Sequence, residues 1–264
     1  MTVDVSLTGR RVLVVGGSGG IGRASALSAA AAGAEITVVG RSPEKLAEVI
    51  ATAGHGTAIS ADVREPSRCV SMVNEAVEAM GAFDVVLFAT GITHLLPVGR
   101  VDPQTLQDIF AVNSVAPALV ADAAVHHLTE TGVMLFLSSM SAGTNYQGLG
   151  PYAASKAALE RIVRAFQFEH PEHRFMCIAV GDTSGTDIAR TYDVELTADL
   201  LPRWLASAVM YERQMEVADL GEMLVELTAM LLAHPGISVP EIAMVPPGPM
   251  RTGTMEDFMR SMAE

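Results

Sequence analysis

Tyr152 and Lys156 stand four residues apart in Tyr152-Ala153-Ala154-Ser155-Lys156, a stretch whose composition favours a helix. Four residues is about one helical turn, so a phenol and an ammonium share one face. A free tyrosine has a pKa of about 10 and exchanges protons poorly at neutral pH. A neighbouring positive charge favours the phenolate and lowers that value. A general acid or base works best with a pKa near the working pH. The pair therefore reads as a proton-transfer device for a carbonyl or an alcohol. By itself the spacing also describes a surface tyrosine beside a surface lysine. Two upstream residues change that balance. Ser139 follows a predicted strand, and Asn113 interrupts the apolar run Phe110-Ala111-Val112-Asn113. A buried amide there either bonds to backbone or takes part in a relay from the lysine side.

A second constellation is Val15-Gly16-Gly17-Ser18-Gly19-Gly20-Ile21-Gly22. Glycines between a strand and a helix let the chain turn sharply and let a pyrophosphate approach the amides. The helix that follows presents free N–H groups and a positive dipole end to the phosphates. Gly16, Gly20 and Gly22 fit GxxxGxG, and Gly16, Gly19 and Gly22 fit GxxGxxG; both spacings stay open. The next strand ends Val38-Val39-Gly40-Arg41-Ser42, without the acid that would hold ribose hydroxyls. Arg41 is placed to meet a 2′-phosphate, Ser42 to add a hydrogen bond and Arg23 to assist. NADP(H) is the expected cofactor, ahead of NAD(H).

These residues need elements to position them. Strands are expected at Arg11–Val15, 35–39, Thr57–Ser60, 84–89, 133–137 and 175–180, from short apolar or β-branched runs. Helices are expected at 21–32, Pro43–Ala53, Pro66–Met80, 103–130 and 151–168, with Pro117 bending the fourth. Strand and helix alternate to about residue 180. That order predicts an α/β fold: a Rossmann-type, doubly wound parallel sheet with helices on both faces. Beyond it the pattern loosens. Helices are expected at 201–215 and 217–234, a strand at 241–245 and a tail over 246–264. No linker or repeat divides the chain, so residues 1–264 read as one domain, with 186–216 as a lid over the substrate.

Bulk properties agree. The chain has 264 residues, half of them hydrophobic, and a net charge of −13. A surface this acidic repels nucleic-acid phosphates, so no nucleic-acid partner is expected. Cys69 and Cys177 lie in no CxxC pair, and His126 and His127 have no second cluster, so no metal is expected. The first ten residues carry acid and no apolar run, unlike a signal peptide. The Ala-rich stretch at 24–34 is too short to span a bilayer. The expectation is a cytoplasmic protein with no membrane partner.

With these residues in order, the chain resembles the short-chain dehydrogenase/reductase family, in its single-domain subfamily, over about residues 8–190. The resemblance implies roles. Ser139 would hold and polarise the substrate oxygen, Tyr152 would pass the proton, and Lys156 would bind the nicotinamide ribose. Asn113 would hold a relay water. Asp62 and Val63 would contact the adenine, and Gly91 the adenosine side. After the sixth strand, with Gly181, a threonine would bond the carboxamide, and Thr183 and Thr186 both remain open. Two departures stand out. Phe88-Ala89-Thr90-Gly91 replaces the usual Asn-Asn-Ala-Gly, and Val180-Gly181-Asp182-Thr183 replaces a Pro-Gly start.

The expected function is hydride transfer between NADP(H) and a moderately hydrophobic ketone or secondary alcohol. Apolar residues from Tyr192 to Met215 and around His94 and Tyr146 would wall the pocket. Two alternatives are a cofactor-binding regulator without turnover and an isomerase or dehydratase of the extended subfamily. The resemblance also implies a homodimer or homotetramer, built on the helices starting near Pro103 and Pro151.

Overall fold

The apolar runs become seven strands of one parallel sheet in a computed structural model, which describes residues 6–252. They are Arg11–Val15 (β1), Glu35–Gly40 (β2), Thr57–Ser60 (β3), Phe83–Phe88 (β4), Leu128–Ser139 (β5), Arg174–Val180 (β6) and Glu241–Met244 (β7). Their order across the sheet is β3-β2-β1-β4-β5-β6-β7. Both faces are covered, which is why the strands are apolar on both sides rather than alternating. The helices Gly20–Ala31 (α1) and Val217–Ala233 (α8) pack with Pro43–Ala53 (α2) on one face. Pro66–Met80 (α3), Pro103–Phe110 (α4), Ala116–Val125 (α5) and Gly150–Glu169 (α6) lie on the other. A third apolar cluster joins Leu95 and Leu149 to Leu200 and Trp204 of the helix Val194–Ala206 (α7).

Caps explain several element starts. Ser42 accepts from the Lys45 N–H ahead of α2, and Asp102 and Asp193 do the same for α4 and α7. Asp84 places a carboxylate inside the central strand. Burial pushes its pKa up, but the Arg11 N–H and the Arg10 and Arg11 guanidiniums outweigh that and hold it below the usual carboxylate range.

Two stretches differ from the sequence reading. The helix expected over 103–130 ends at Val125, and β5 starts at Leu128 rather than 133. Main-chain pairing decides this. The Phe83 N–H bonds to the His127 carbonyl, and Leu128 then pairs with Phe83. The same helix is interrupted by a π-turn at Ala111–Val115, just ahead of Pro117. Proline lacks the N–H that the Asn113 carbonyl would receive in an α-helix, and a single π-turn accommodates such a defect. By length and composition Pro103–Val125 is apolar enough to cross a membrane, but 56% of its most apolar window is buried inside the protein. The helix expected over 201–215 is instead α7, which starts at its Asp193 cap and stops at Ala206. Ala208 then takes a left-handed φ of 48°, and the chain returns extended toward Met215.

Candidate active site

Sheet order reverses between β1 and β4, and the loops beyond their C-terminal ends form the crevice where such folds take ligands. Gly16 lies in it with φ +95°, and a Cβ there would come within 2.8 Å of the Ala89 carbonyl carbon and the Thr90 nitrogen. A Cβ on Gly22 would collide with the Gly16 carbonyl oxygen. The turn is therefore built for close backbone approach. Helix α1 starts at Gly20 with no side chain capping it from Gly19, so its first N–H groups remain available to an anion. Ser18 packs on Gly40 at the end of β2, while Ile21 turns inward onto the core.

At the far end of the crevice, Arg41 is exposed and forms no ion pair among the described residues. Ser42 is more committed than its spacing suggested. It caps α2 and donates to Glu44 Oε2 at 2.9 Å, so its proton is not free. Arg64 donates to both Asp62 oxygens and holds that carboxyl below its ordinary value. Val63 is buried, and its carbonyl accepts from the Cys69 thiol.

Helix α6 brings Tyr152 and Lys156 beneath the end of β5, where Ser139 stands. Lys156 Nζ lies 6.0 Å from the Tyr152 ring centroid and donates to the Leu137 carbonyl at 2.8 Å. Burial pushes the ammonium down to about 8, with Cys177 and Glu160 acting against it. The phenol departs from expectation. Burial pushes Tyr152 up to about 12, the Ser139 hydroxyl opposes this, and Tyr192 adds to it. Desolvation thus outweighs any help from the lysine in the free chain.

Ser139 accepts from the Ser141 N–H at 3.2 Å and the Ser141 hydroxyl at 2.9 Å. A hydroxyl has two acceptor sites and one proton. The same hydroxyl is also within hydrogen-bonding reach of the Tyr152 phenol. Asn113 is fully buried in the π-turn, and its side chain is spent on structure. Its amide donates to the Ile92 carbonyl and to Ser155 Oγ, and its oxygen accepts from the Ile92 N–H, all at 2.9 Å. Both amide protons are used, which leaves the second lone pair of the oxygen as the side chain's one open position. Pro117 has no N–H to give the Asn113 main-chain carbonyl, and the π-turn shifts the pairing there from the α-helical pattern. A Cβ on Gly91 would sit 3.5 Å from Lys156 Nζ, so Gly91 roofs the lysine.

Beyond β6, Gly181 packs under Val245 and Pro246, and the Thr183 hydroxyl donates to the Gly181 carbonyl at 3.0 Å. Thr186 lies instead against Gly20, and Asp187 against Gly19. Thr186 is thus the threonine on the glycine-turn side. Residues 182–184 pair with Met215, and Met250 bridges to Tyr211, so the start of the expected tail is tied down. The rest of that tail, residues 253–264, lies outside the described residues.

The sequence profile described as short chain dehydrogenase matches residues 10–196, most of the chain. The chain belongs to this family.

Hydroxynaphthalene reductase arp2 of Aspergillus fumigatus is 31% identical to this family member over 163 residues, 60% of each chain. The match therefore spans about three fifths of the length of that curated relative. A hydroxynaphthalene reductase-like protein of Metarhizium acridum is 28% identical over 251 residues, 87% of this chain and 90% of that one. A solved short chain dehydrogenase from Burkholderia cenocepacia, in complex with NADP, is 25% identical, with a TM-score of 0.75, covering 90% of this chain and 97% of that one.

Within this short-chain dehydrogenase, sequence reasoning gave no role to Ser155, Glu160 or Asp182, and gave Ser138 only that of a strand-end hydrogen-bonding residue. Ser155 links Tyr152 to Asn113, accepting from the Asn113 amide and donating to the Tyr152 carbonyl at 2.7 Å. Ser138 donates to Glu160, a turn beyond Lys156, at 2.8 Å. Asp182 sits half-buried just past β6. An acid at a strand's C-terminal end in this fold was the available signal. The altered segment after β4 leaves the Thr90 hydroxyl buried without a partner.

Proposed function

We propose that this protein is an NADP(H)-dependent reductase of a moderately hydrophobic, aromatic ketone, running in either direction with the corresponding alcohol. The observation that carries the reading is the Ser139 hydroxyl in hydrogen-bonding reach of the Tyr152 phenol, with the buried Lys156 ammonium one turn behind. The residues fit a dinucleotide. Gly16 and Gly22 leave room for its pyrophosphate, the uncapped start of α1 supplies N–H donors, and Arg41 is free to meet a 2′-phosphate. The NADP held by the Burkholderia relative and the reductase names of the fungal relatives support the same reading. When bound, the nicotinamide supplies or accepts hydride at the substrate carbon.

The chain's own residues handle the oxygen and its proton. Ser139 donates a hydrogen bond to the carbonyl oxygen, polarising the bond and fixing its place. Tyr152 delivers its phenolic proton to that oxygen as negative charge develops there. Lys156, charged below pH 8, stabilises the phenolate left behind. It has N–H groups beyond the one given to Leu137, available to a ribose. A water held at Asn113 would return a proton to the site. The buried apolar cluster of Leu95, Leu149, Leu200 and Trp204, with Tyr146 packed on it, would form a wall suited to a flat ring system.

The test is a panel of tetralones and aliphatic ketones assayed with NADPH and NADH. Tetralone turnover with NADPH should fall by about 1,000-fold in Tyr152→Phe, the scale of a lost general acid. Activity unchanged in that variant would remove the mechanism. Tight NADPH binding without turnover of any ketone would assign the chain a regulatory role instead. We also propose a homodimer or homotetramer. Exposed Val115, beside α5, and Phe168, on α6, are the apolar residues that support it.

A further inference from the structure

Asp182 is a half-buried carboxylate with little to hold it. Its only hydrogen bond among the described residues comes from the Tyr211 N–H to Oδ2, at 2.9 Å. No cation pairs with it among them. A carboxylate offers about four acceptor sites, and most of those on Asp182 take no hydrogen bond from the described residues. The nearest phenol does not help. Tyr146 is close enough for the Asp182 charge to raise its pKa, yet its hydroxyl donates to the Val209 carbonyl at 2.5 Å. Oδ1 is also absent from the buried atoms that lack a partner, so it keeps access to open space.

Position makes this surplus meaningful. Val180, the last residue of β6, pairs across the sheet with Ser139. Asp182 follows two residues on. Neighbouring strands are about 4.8 Å apart and each residue advances about 3.3 Å, so the Asp182 Cα lies on the order of 8 Å from the Ser139 Cα. Side chains anchored at that separation can reach the two ends of a two-ring frame, with a hydrogen bond of about 2.8 Å at each end. Tyr146, which is close enough to feel the Asp182 charge, meets Trp204 edge to face with ring centroids 6.1 Å apart.

We propose that Asp182 determines substrate specificity by accepting a hydrogen bond from a hydroxyl on the ring distal to the reacting carbonyl. The inference rests on the ketone-reductase reading of the site and adds to it a substrate class, the hydroxylated bicyclic aromatic ketone. A ligand without that hydroxyl leaves the carboxylate unpaired, and a buried acceptor left empty discriminates more strongly than a missing contact.

The test reads binding rather than turnover. Trp204 is the chain's single tryptophan and lies in the proposed wall, so its fluorescence reports occupancy. Naphthalene-2,7-diol and 2-naphthol are titrated into the full-length wild type, Asp182→Asn and Asp182→Glu. The diol should bind the wild type about 10-fold more tightly, as befits a hydrogen bond to a charged group. Asn should erase that preference while 2-naphthol binding and the thermal midpoint stay unchanged, because its side-chain oxygen still serves the Tyr211 N–H. Glu should restore part of it. Equal binding of both ligands by the wild type, a preference that survives in Asn, or no binding of either ligand would overturn the proposal. Tetralone turnover, measured separately, judges the reductase reading, so the two can fail independently.

Discussion

Lys156 keeps its ammonium in a place where only 3% of the residue meets solvent. Burial lowers its pKa to about 8, so it is charged below that pH and neutral above it. If the charge supports the phenolate, kcat/KM for the ketone should fall tenfold per unit above pH 8. A profile flat to pH 10 would mean the charge is not used. Arg41 is the matching test for the cofactor. A charge-assisted bond to the 2′-phosphate implies that Arg41→Asp weakens NADPH by about 10-fold to 100-fold, with NADH gaining. Equal NADPH affinity in that variant, read by fluorescence titration, would count against the 2′-phosphate assignment. The residues of this site were legible because their order and spacing are visible in one dimension. Their partners were not. The Asn113 side chain is consumed by Ile92, which is 21 residues away in the chain. Tyr152 rises rather than falls because burial is a property of the packed molecule.

At the scale of elements, α1 and α8 approach most closely where Gly221 faces Ala24. A Cβ on Gly221 would lie 2.6 Å from Ala24 Cβ and 2.8 Å from the Ala24 carbonyl carbon. Backbone cannot yield as a flexible side chain can. Gly221→Val should therefore push α8 off α1 and cost about 1–3 kcal/mol, read as a lowered thermal midpoint. An unchanged midpoint would show that the two helices separate freely. Because α1 is the helix that begins at the glycine turn, weaker dinucleotide binding should accompany the loss. Most elements up to β6 could be read from the sequence, since buried strands are short apolar runs and α2 and α3 open at Pro43 and Pro66. The stretch from Ala116 misled because alanine and valine suit a buried helix, and neither Gly nor Pro marks its end before Gly132. Pairing with Phe83, distant in sequence, settles where β5 begins.

The whole molecule carries a net charge of −13, yet its cofactor is proposed to be an anion. Long-range repulsion then opposes encounter, while Arg41 and the start of α1 act only at short range. Salt screens the first effect, with a Debye length of about 10 Å at 0.1 M. The association rate of NADPH should consequently rise a few-fold between low and moderate salt, the reverse of a steered encounter. Stopped-flow fluorescence measures it, and a rate that falls with salt would point to a positive funnel around the crevice. The order of the sheet bears on how the chain comes to exist at all. β1 sits between β2 and β4, so one of its edges stays bare until the chain has grown past Phe83 and looped back. During synthesis a nascent chain that already holds β1, β2 and β3 offers that apolar edge to any neighbour able to pair with it. The same adjacency that creates the crevice thus leaves the growing chain exposed to aggregation until β4 docks.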